Sequence, residues 1–331
     1  MLAIAYGTRP EYIKLKPFMD LLDKNLIQYK VIQVLQHTDL LDINPKAIKI
    51  PVFNNCSDRL SNVVSSILQQ SDTIPFDTQI SDIAVQGDTA TAYGIALAAF
   101  HRGVSVIHIE AGMRTYRAFP YPEEVYRRAI SLMSFYHFCP TEAEKQNLQT
   151  EQVEGSIYVV GNTALDNLVD ITPTYHNTQE ILCTIHRREN WDNAWHRAIE
   201  RLAKAYPEFR FTVVRHPNRQ LNETEYPNLH FIDPLPHRQM AERIAASRLV
   251  ITDSGGIQEE ASFFKKWTLV CRDRTERECL SGIVAGIPDI LDQRFNELIR
   301  KHPKAPYDCP FGDGTASKKI YGILEDDCIF I

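Results

Sequence analysis

The chain has 331 residues, of which 44% are hydrophobic and 24% are charged, and its net charge is −6. This length exceeds one ordinary hydrophobic core and predicts two domains. No apolar run reaches the ~18 residues of a membrane helix, and the acidic balance argues against a broad nucleic-acid surface.

The N-terminus and the cysteines indicate a cytoplasmic protein. The apolar stretch before Gly7 is five residues long, which is too short for a signal peptide and typical of a first strand. The seven cysteines show no CxxC pair and no regular spacing. This pattern favours free thiols in a reducing compartment.

Short apolar runs alternate with amphipathic stretches along the whole chain. One series of predicted strands covers residues 2–6, 29–35, 82–86, 104–109, 136–139 and 156–160, and a second covers 180–185, 209–214, 229–232, 248–252 and 267–271. The predicted helices cover residues 10–23, 58–70, 89–101, 122–134, 142–149, 193–205, 236–246, 255–265 and 292–301. The alternation predicts an α/β fold with two Rossmann-like domains, each a parallel sheet between helices.

Ligands of such sheets bind outside the carboxyl ends of the strands, so we expect the site in a cleft between two facing domains. The first motif, YGTRPEYIKLKP, directly follows the first strand. Gly7 permits a tight turn, Thr8 caps the helix and Pro10 suits a first helical position. Arg9 and Lys14 then favour phosphate or carboxylate binding. The alternative is an ordinary turn with solvated cations.

Carboxylates follow the later strands of the first series. Asp88 in QGDTATA either caps a helix or points into the cleft. Glu110 in IHIEAGMRT ends an apolar strand, and a buried lone carboxylate is costly, so we expect a role or a partner such as Arg114. His108 is interpreted as a structural histidine. Glu123 in PEEVYRR is stabilised by the helix dipole or aimed at the cleft by the proline-rich turn.

Basic residues follow the strands of the second series. His186 comes directly after the first of these strands and is followed by Arg187 and Arg188. Arg215 and His216 repeat the arrangement one strand later. A histidine with two arginines at the carboxyl end of a strand suggests an anion site.

The segment ITDSGGIQEEASFF joins an apolar strand to a helix. Asp253 or Ser254 is expected to cap this helix, and Gly255 and Gly256 leave its first N–H groups uncovered. Free N–H groups and the positive end of the helix dipole make an anion site. The segment matches neither GxGxxG nor a Walker sequence, so dinucleotide and ATP sites are poor interpretations.

Side chains along this helix predict what the anion is attached to. Ile257, Ala261 and Phe264 share one face and should pack on the sheet, whereas Glu259 points away as a surface acid. Glu260 flanks the glycines, where a carboxylate repels phosphate but accepts hydrogen bonds from hydroxyl groups. A diphosphate next to a ribose satisfies both demands. The segment therefore predicts a nucleotide-sugar ligand.

The segment VCRDRTERECLSG adds positive charge near the same helix start, from Arg272, Arg274 and Arg277. This charge strengthens the prediction of a phosphate site. The sequence shows no cluster with metal-ligand spacing, and no metal or redox cofactor is expected.

Seven motifs in chain order resemble the non-hydrolysing UDP-N-acetylglucosamine 2-epimerases. They are GTRPEYIKLKP, QGDTATA, IHIEAGMRT, PEEVYRR, VGNTALDNL, IHRREN and TDSGGIQEEA, and a further match is PFGDGTASKKI. The resemblance implies a fold similar to that of GT-B glycosyltransferases, with a deep cleft, and a homodimer. The polar segment DITPTYHNTQ, residues 170–179, is the expected linker, so the first domain covers residues 1–169 and the UDP-binding domain covers 170–313. The resemblance implies a C-terminal helix, at about 314–331, that packs back on the first domain.

The resemblance also implies a reaction, in which UDP-GlcNAc and UDP-ManNAc interconvert. A base removes the C2 proton while UDP leaves C1, and re-addition delivers the proton from the opposite face. The residues that match the acidic catalytic set are Asp88, Glu110 and Glu123, with His186 near the diphosphate. The residues that match the nucleotide and phosphate contacts are Arg9, Lys14, Ser254, Gly255, Gly256 and Arg277, with Glu260 as the ribose ligand.

Four alternatives stay open. The first is an epimerase for another UDP-2-acetamido sugar, such as a 6-deoxy or uronic acid form. It stays open because the motifs report on UDP and C2 rather than on the far end of the sugar. A hydrolysing epimerase that releases ManNAc is disfavoured by GTRPE and HRREN. A GT-B glycosyltransferase would not need three acids in the first domain. An inactive sugar-nucleotide sensor would not need the acids and His186.

Overall fold

The computed structural model describes residues 1–35, 45–76, 79–117, 120–216, 226–272 and 281–330, with Arg188 described by its backbone only. The chain divides into two compact units. The first unit comprises Met1–Asn167 and Gly312–Ile331, and the second comprises Leu168–Phe311.

The first unit is built on a seven-stranded sheet whose described pairs are all parallel. Its strands are β1 (Leu2–Tyr6), β2 (Tyr29–Leu35), β3 (Ile48–Pro51), β4 (Asp82–Gln86), β5 (Ser105–Ile109), β6 (Ser134–Cys139) and β7 (Ser156–Val159). The spatial order is β3-β2-β1-β4-β5-β6-β7. The winding direction therefore reverses between β1 and β4, which is the topological switch point where Rossmann-like folds bind ligands.

Helices cover both faces of this sheet. They are α1 (Arg9–Lys24), α2 (Arg59–Gln69), α3 (Ala90–His101), α4 (Glu123–Met133), α5 (Glu142–Thr150) and, from the end of the chain, α10 (Ala316–Asp326). One apolar core joins α2 and α3 to the sheet, and a second core on α1 and α10 includes Phe18 and Ile320. The carboxylate of Asp166 accepts hydrogen bonds from the amides of Ala316 (3.0 Å) and Ser317 (2.6 Å), so a residue distant in sequence caps α10.

The second unit repeats the plan with a parallel six-stranded sheet. Its strands are β8 (Glu180–Thr184), β9 (Arg210–Val214), β10 (Leu229–Ile232), β11 (Leu249–Thr252), β12 (Thr268–Val270) and β13 (Gly282–Val284). Its helices are α6 (Ala194–Ala205), α7 (His237–Ala246), α8 (Gly255–Phe263) and α9 (Leu291–Ile299). The order β10-β9-β8-β11-β12-β13 puts the switch point between β8 and β11.

The predicted fold class, two Rossmann-like α/β units, is confirmed. The two strands that the sequence did not predict are β3 and β13, which lie at the sheet edges and contain four and three residues. β3 has the sequence IKIP and ends in a proline, and β13 has the sequence GIV and begins with a glycine, so neither shows the signal of a strand interior. Within the described ranges, no helix combines the length and apolar character that a membrane span requires.

Candidate functional site

The first group of predicted site residues lies at the switch point of the first unit. Thr8 caps α1 as predicted, in a capping box with Glu11. Gly7 precedes it in a buried turn, where an added Cβ would lie 2.2 Å from the Thr91 hydroxyl oxygen, so only glycine fits. Arg9 is the exposed first residue of α1.

Glu110 directly follows β5 and has a left-handed backbone, with φ of 67°. Its carboxylate contacts the ammonium group of Lys14 and accepts a 2.9 Å hydrogen bond from the Gln86 side chain. The expectation that Arg114 is its partner is wrong, because Arg114 donates to Glu151 at 2.8 and 2.9 Å. The left-handed turn directs the chain so that Glu110 meets the helix that follows β1.

Asp88 is joined to α4, the helix that Glu123 begins. The carboxylate of Asp88, whose side chain is 28% exposed, pairs with the guanidinium of Arg127. Glu123 begins α4 and lies four residues before Arg127, so both side chains share one helix face. Sequence reasoning missed Arg127, although its place one turn after the motif acid was a usable signal.

The two adjacent glutamates at the start of α4 have different roles. Glu124 is buried, and its carboxylate accepts hydrogen bonds from the amides of Thr115 and Tyr116, both at 3.0 Å. It therefore orders the loop that enters α4. Glu123 is only half-buried.

His108 is a structural histidine, as predicted. It is fully buried, and its Nε2 donates a 2.8 Å hydrogen bond to the carbonyl of Gly87. Burial lowers the pKa of His108 to about 3, so the ring is neutral at physiological pH. It stabilises the turn that holds Asp88.

The second group lies at the switch point of the second unit, and the side chain of Asp253 organises it. Of the two expected caps of the following helix, Ser254 is the N-cap residue and Asp253 is not. The Asp253 carboxylate instead accepts hydrogen bonds from the amides of His186 (2.9 and 3.1 Å) and Arg187 (2.9 Å) and from the side chain of Asn190 (2.8 Å). Nε2 of His186 donates to the carbonyl of Val214 at 3.0 Å, so its Nδ1 is the nitrogen left to face a ligand.

The start of α8 is open, as the glycine pair predicted. Ser254 is the N-cap residue, and its side chain makes no capping hydrogen bond. Gly256 is exposed, and an added Cβ there would meet no atom within 4 Å. The backbone thus does not require glycine at this position. The first-turn N–H groups have no intrahelical acceptor, which suits an anion.

Glu260 lies one turn along α8 and is 7% exposed. Its Oε1 lies 3.0 Å from Nε2 of His237, whereas its Oε2 is buried without a hydrogen-bond partner among the described residues. A buried carboxylate oxygen without a donor is costly, and a ligand hydroxyl would supply one. Sequence reasoning missed His237, because a single histidine in the first turn of a helix carries no specific signal.

The predicted outward face of α8 is wrong. Glu259 is 2% exposed rather than a surface acid, and Ile257 is only half-buried. Ala261 and Phe264 are buried as predicted. The prediction from helical periodicity failed because the rest of the protein packs around most sides of this helix, so that no single face is polar.

Arg277 and Arg274, which were predicted to bind phosphate, lie outside the described residues. The remaining predicted site residues form two groups, one at each switch point. In the part of the chain that the structure describes, no group of three or more His, Cys, Asp or Glu side chains could hold a metal ion.

A cavity of about 700 Å³ in the second unit contains none of the predicted site residues. Lys265, Trp267 and Lys301 line it, near the C-terminal ends of α8 and α9. Cations at helix C-termini complement the helix dipoles, which accounts for its positive charge.

The chain matches the family model described as UDP-N-acetylglucosamine 2-epimerase over residues 20–325. It is 34% identical over 365 residues to the UDP-N-acetylglucosamine 2-epimerase of Neisseria meningitidis serogroup A, covering 96% of this chain and 97% of that protein. The crystal structure of the N. meningitidis UDP-GlcNAc 2-epimerase bound to UDP-GlcNAc superposes with a TM-score of 0.86 at 32% identity, covering 98% of this chain and 99% of that one. The S. aureus MnaA–UDP co-structure gives a TM-score of 0.86 at 30% identity, covering 100% and 97%.

Proposed function

The chain belongs to the UDP-N-acetylglucosamine 2-epimerase family, a family of isomerases, and from that premise we propose that it interconverts UDP-GlcNAc and UDP-ManNAc without net hydrolysis. One observation carries the proposal within the structure. At a single sheet edge, the carboxylates of Glu110 and Asp88 are each held by a cation, Lys14 and Arg127. Two positioned carboxylates suit a reaction that removes a proton and returns it from the opposite face.

UDP binding is assigned to the second unit. The open start of α8 at Ser254, Gly255 and Gly256 receives the diphosphate, because uncapped N–H groups and the helix dipole favour an anion. Oε2 of Glu260, which has no hydrogen-bond partner among the described residues, accepts a hydrogen bond from a ribose hydroxyl. His186 is assigned a place beside the diphosphate, and its contact with a phosphate oxygen requires a hydrogen on Nδ1. Arg277 belongs to the same proposal through its sequence motif alone.

The proposed chemistry is an anti elimination followed by re-addition. A carboxylate takes the C2 proton, the C–H electrons form the C1–C2 double bond, and the C1–O bond breaks so that UDP leaves with its electron pair. Addition of UDP at C1 and of a proton at the opposite face of C2 gives the epimer. Because C2 has no adjacent carbonyl group, the departure of a stabilised diphosphate is essential. Asp88, Glu110 and Glu123 handle the protons, and Arg9 and Lys14 add positive charge.

The test is to incubate the purified protein with UDP-GlcNAc in D₂O and to follow the reaction by NMR. We expect deuterium at C2 and UDP-ManNAc as product. Free ManNAc with UDP would assign the hydrolysing reaction. Exchange with another UDP-2-acetamido sugar, but not with UDP-GlcNAc, would redefine the substrate. Sugar transfer to an acceptor without C2 exchange would favour a glycosyltransferase, and no turnover of any UDP-sugar would favour a sensor.

A homodimer is part of the proposal. Val125 (60% exposed) and Leu132 (76% exposed) lie seven residues apart on one face of α4, and Phe100 and Phe135 are also more than half exposed. Burial of these side chains against a second copy would remove apolar surface from water. Leu132→Glu should therefore lower the sedimentation coefficient from the value of a dimer to that of a monomer. An unchanged coefficient would contradict the assignment of this surface to the dimer interface.

The domain boundaries and the location are proposals as well. We place the first domain at residues 1–169 with a helix at about 314–331, and the second at 170–313, and the division into two compact units supports this. The six described cysteines carry free thiols, which supports a cytoplasmic location.

A further inference from the structure

We propose that Asp253 is a positioning residue for the diphosphate site, because its carboxylate fixes the loop that carries His186. The inference rests on the proposed function, in which His186 faces the UDP diphosphate. In this proposal Asp253 determines the position of the His186 ring. It also determines which N–H groups remain available to the ligand.

Both oxygens of the Asp253 carboxylate accept hydrogen bonds from this loop. Oδ1 accepts from the His186 amide at 2.9 Å, and Oδ2 accepts from the same amide at 3.1 Å, from the Arg187 amide at 2.9 Å and from the Asn190 side chain at 2.8 Å. All these donors are neutral amides. Since Asp253 is fully buried, its charge is tolerable only while these donors stay in place.

This arrangement decides which donors face the ligand. The amides of His186 and Arg187 point at Asp253, so they are not available to bind phosphate. Among the described residues of this loop and of α8, the diphosphate is therefore assigned to the His186 ring and to the N–H groups at the start of the helix. A carboxylate beside a phosphate site would repel the ligand if it faced it, whereas here it faces the protein backbone.

Three contacts hold His186, one at its backbone and two at its ring. Asp253 fixes its backbone, and the carbonyl of Val214 accepts from Nε2 at 3.0 Å. The His216 ring packs against it edge-on, with centroids 5.4 Å apart and an interplanar angle of 77°. Release of the backbone anchor would therefore move Nδ1, and a shift of about 1 Å at a reacting centre can cost about 10²-fold in rate.

Asp253 is itself rigidly supported. Its amide donates to the carbonyl of Thr184 at 3.2 Å, and the Thr184 and Thr252 hydroxyl groups share a buried 2.6 Å hydrogen bond. The Thr252 hydroxyl oxygen also accepts from the Ser254 amide at 3.0 Å. The loop after β8 and the start of α8 thus have one common support at the switch point.

The test is a double-mutant cycle with Asp253→Asn, His186→Ala and the double variant. Asparagine keeps the shape of the side chain but replaces one acceptor oxygen with an NH₂ group that meets the loop amides. For C2 exchange in D₂O we expect each single variant to lower kcat about 10²-fold, and the double variant to match His186→Ala within about threefold. Multiplied losses in the double variant would overturn the inference, because Asp253 would then act independently of His186.

One control variant and one replacement variant separate an effect on positioning from an effect on stability. Asp308→Asn replaces an exposed acid of the same unit that pairs with Lys265, and it should leave kcat and the Kd for UDP unchanged. If Asp253→Asn does not fold by circular dichroism, Asn190→Ala removes one donor to Oδ2 and takes its place in the cycle, with a smaller loss of about tenfold. Full activity of the folded replacement would overturn the inference.

Failure of the proposed function gives a different result. If the wild-type protein shows no C2 exchange, the epimerase proposal fails, and the cycle is scored on the Kd for UDP from calorimetry. Non-additive losses in UDP affinity would still support Asp253 as the support of His186. Additive losses, or no loss in Asp253→Asn, would overturn it.

Discussion

Oε1 of Glu11 accepts a 2.6 Å hydrogen bond from the hydroxyl group of Thr89. Glu11 lies in the first turn of α1, and Thr89 is the N-cap residue of α3. The contact joins the turn after β1, which carries Arg9, to the turn after β4, which carries Asp88. The two halves of the first switch point are therefore fixed to each other through one buried carboxylate.

Glu11→Gln should lower both the stability of the fold and the rate of turnover. The carboxylate accepts four hydrogen bonds, from Gly7, from Thr8 twice and from Thr89, and a glutamine cannot accept them all. We expect a loss of about 2–3 kcal/mol in the free energy of unfolding in urea. Asp20→Asn, an exposed acid on the same helix, is the control. Equal stability of Glu11→Gln and the control would contradict the role of Glu11.

Gly256→Ala should separate binding from stability. The added Cβ meets no protein atom within 4 Å, and alanine favours a helix by about 1 kcal/mol over glycine, so the free energy of unfolding should stay the same or rise. The methyl group would occupy the proposed phosphate position, so calorimetry should show at least about tenfold weaker UDP binding.

Gly322→Ala in α10 is the matched control for Gly256→Ala, because its Cβ also meets open space. It should gain stability and keep the Kd for UDP. Normal UDP binding by Gly256→Ala would remove the start of α8 from the proposed site.

Glu260→Gln should lose ribose recognition and keep diphosphate recognition. The buried Oε2 has no partner among the described residues, and a charged acceptor is worth about 1.5–3 kcal/mol, so UDP affinity should fall about 10- to 100-fold. Pyrophosphate affinity should not change. Glu242→Gln, an exposed acid on α7, is the control. Equal losses for UDP and pyrophosphate would argue against a ribose contact.

Asp88→Asn and Glu110→Gln should each abolish C2 exchange while UDP still binds. Positioned proton transfer contributes about 10²- to 10⁴-fold, so deuterium incorporation should fall by at least about 10²-fold. UDP affinity should persist because its proposed contacts lie mainly in the second unit. Asp72→Asn, an exposed acid paired with Arg102, should behave as wild type. Full exchange in both acid variants would refute the catalytic assignment.

His108 should make stability depend on pH. The pKa of His108 is about 3 in the native protein against 6.5 for the free side chain. Between these values the unfolded chain binds a proton that the native protein does not. The contribution of the neutral His108 ring to the free energy of unfolding is therefore complete above pH 6.5. It falls by about 1.4 kcal/mol per pH unit as the pH decreases toward 3.

His108→Gln should therefore show a smaller fall in the free energy of unfolding between pH 7 and pH 5 than the wild type, by about 2 kcal/mol. His101→Gln, which changes an exposed histidine in the last turn of α3, should keep the wild-type pH dependence. An unchanged pH dependence in His108→Gln would show that this ring is not the titrating group.

The sequence by itself determined the α/β class, most strands and helices, the cap at Thr8, the open start of α8 and the structural role of His108. These features depend on periodicity, turn chemistry and capping, which act over a few neighbouring residues. Only the tertiary structure decided how the charges are paired. Lys14 and Glu110 are 96 residues apart in the chain, and the sequence favoured the nearby Arg114 instead.

The burial of Glu259 and the use of Asp253 by the His186 loop were likewise decided by the tertiary structure. A buried carboxylate takes whichever donors the sheet order brings to it. Strand order is a property of the whole unit, and the local sequence does not contain it.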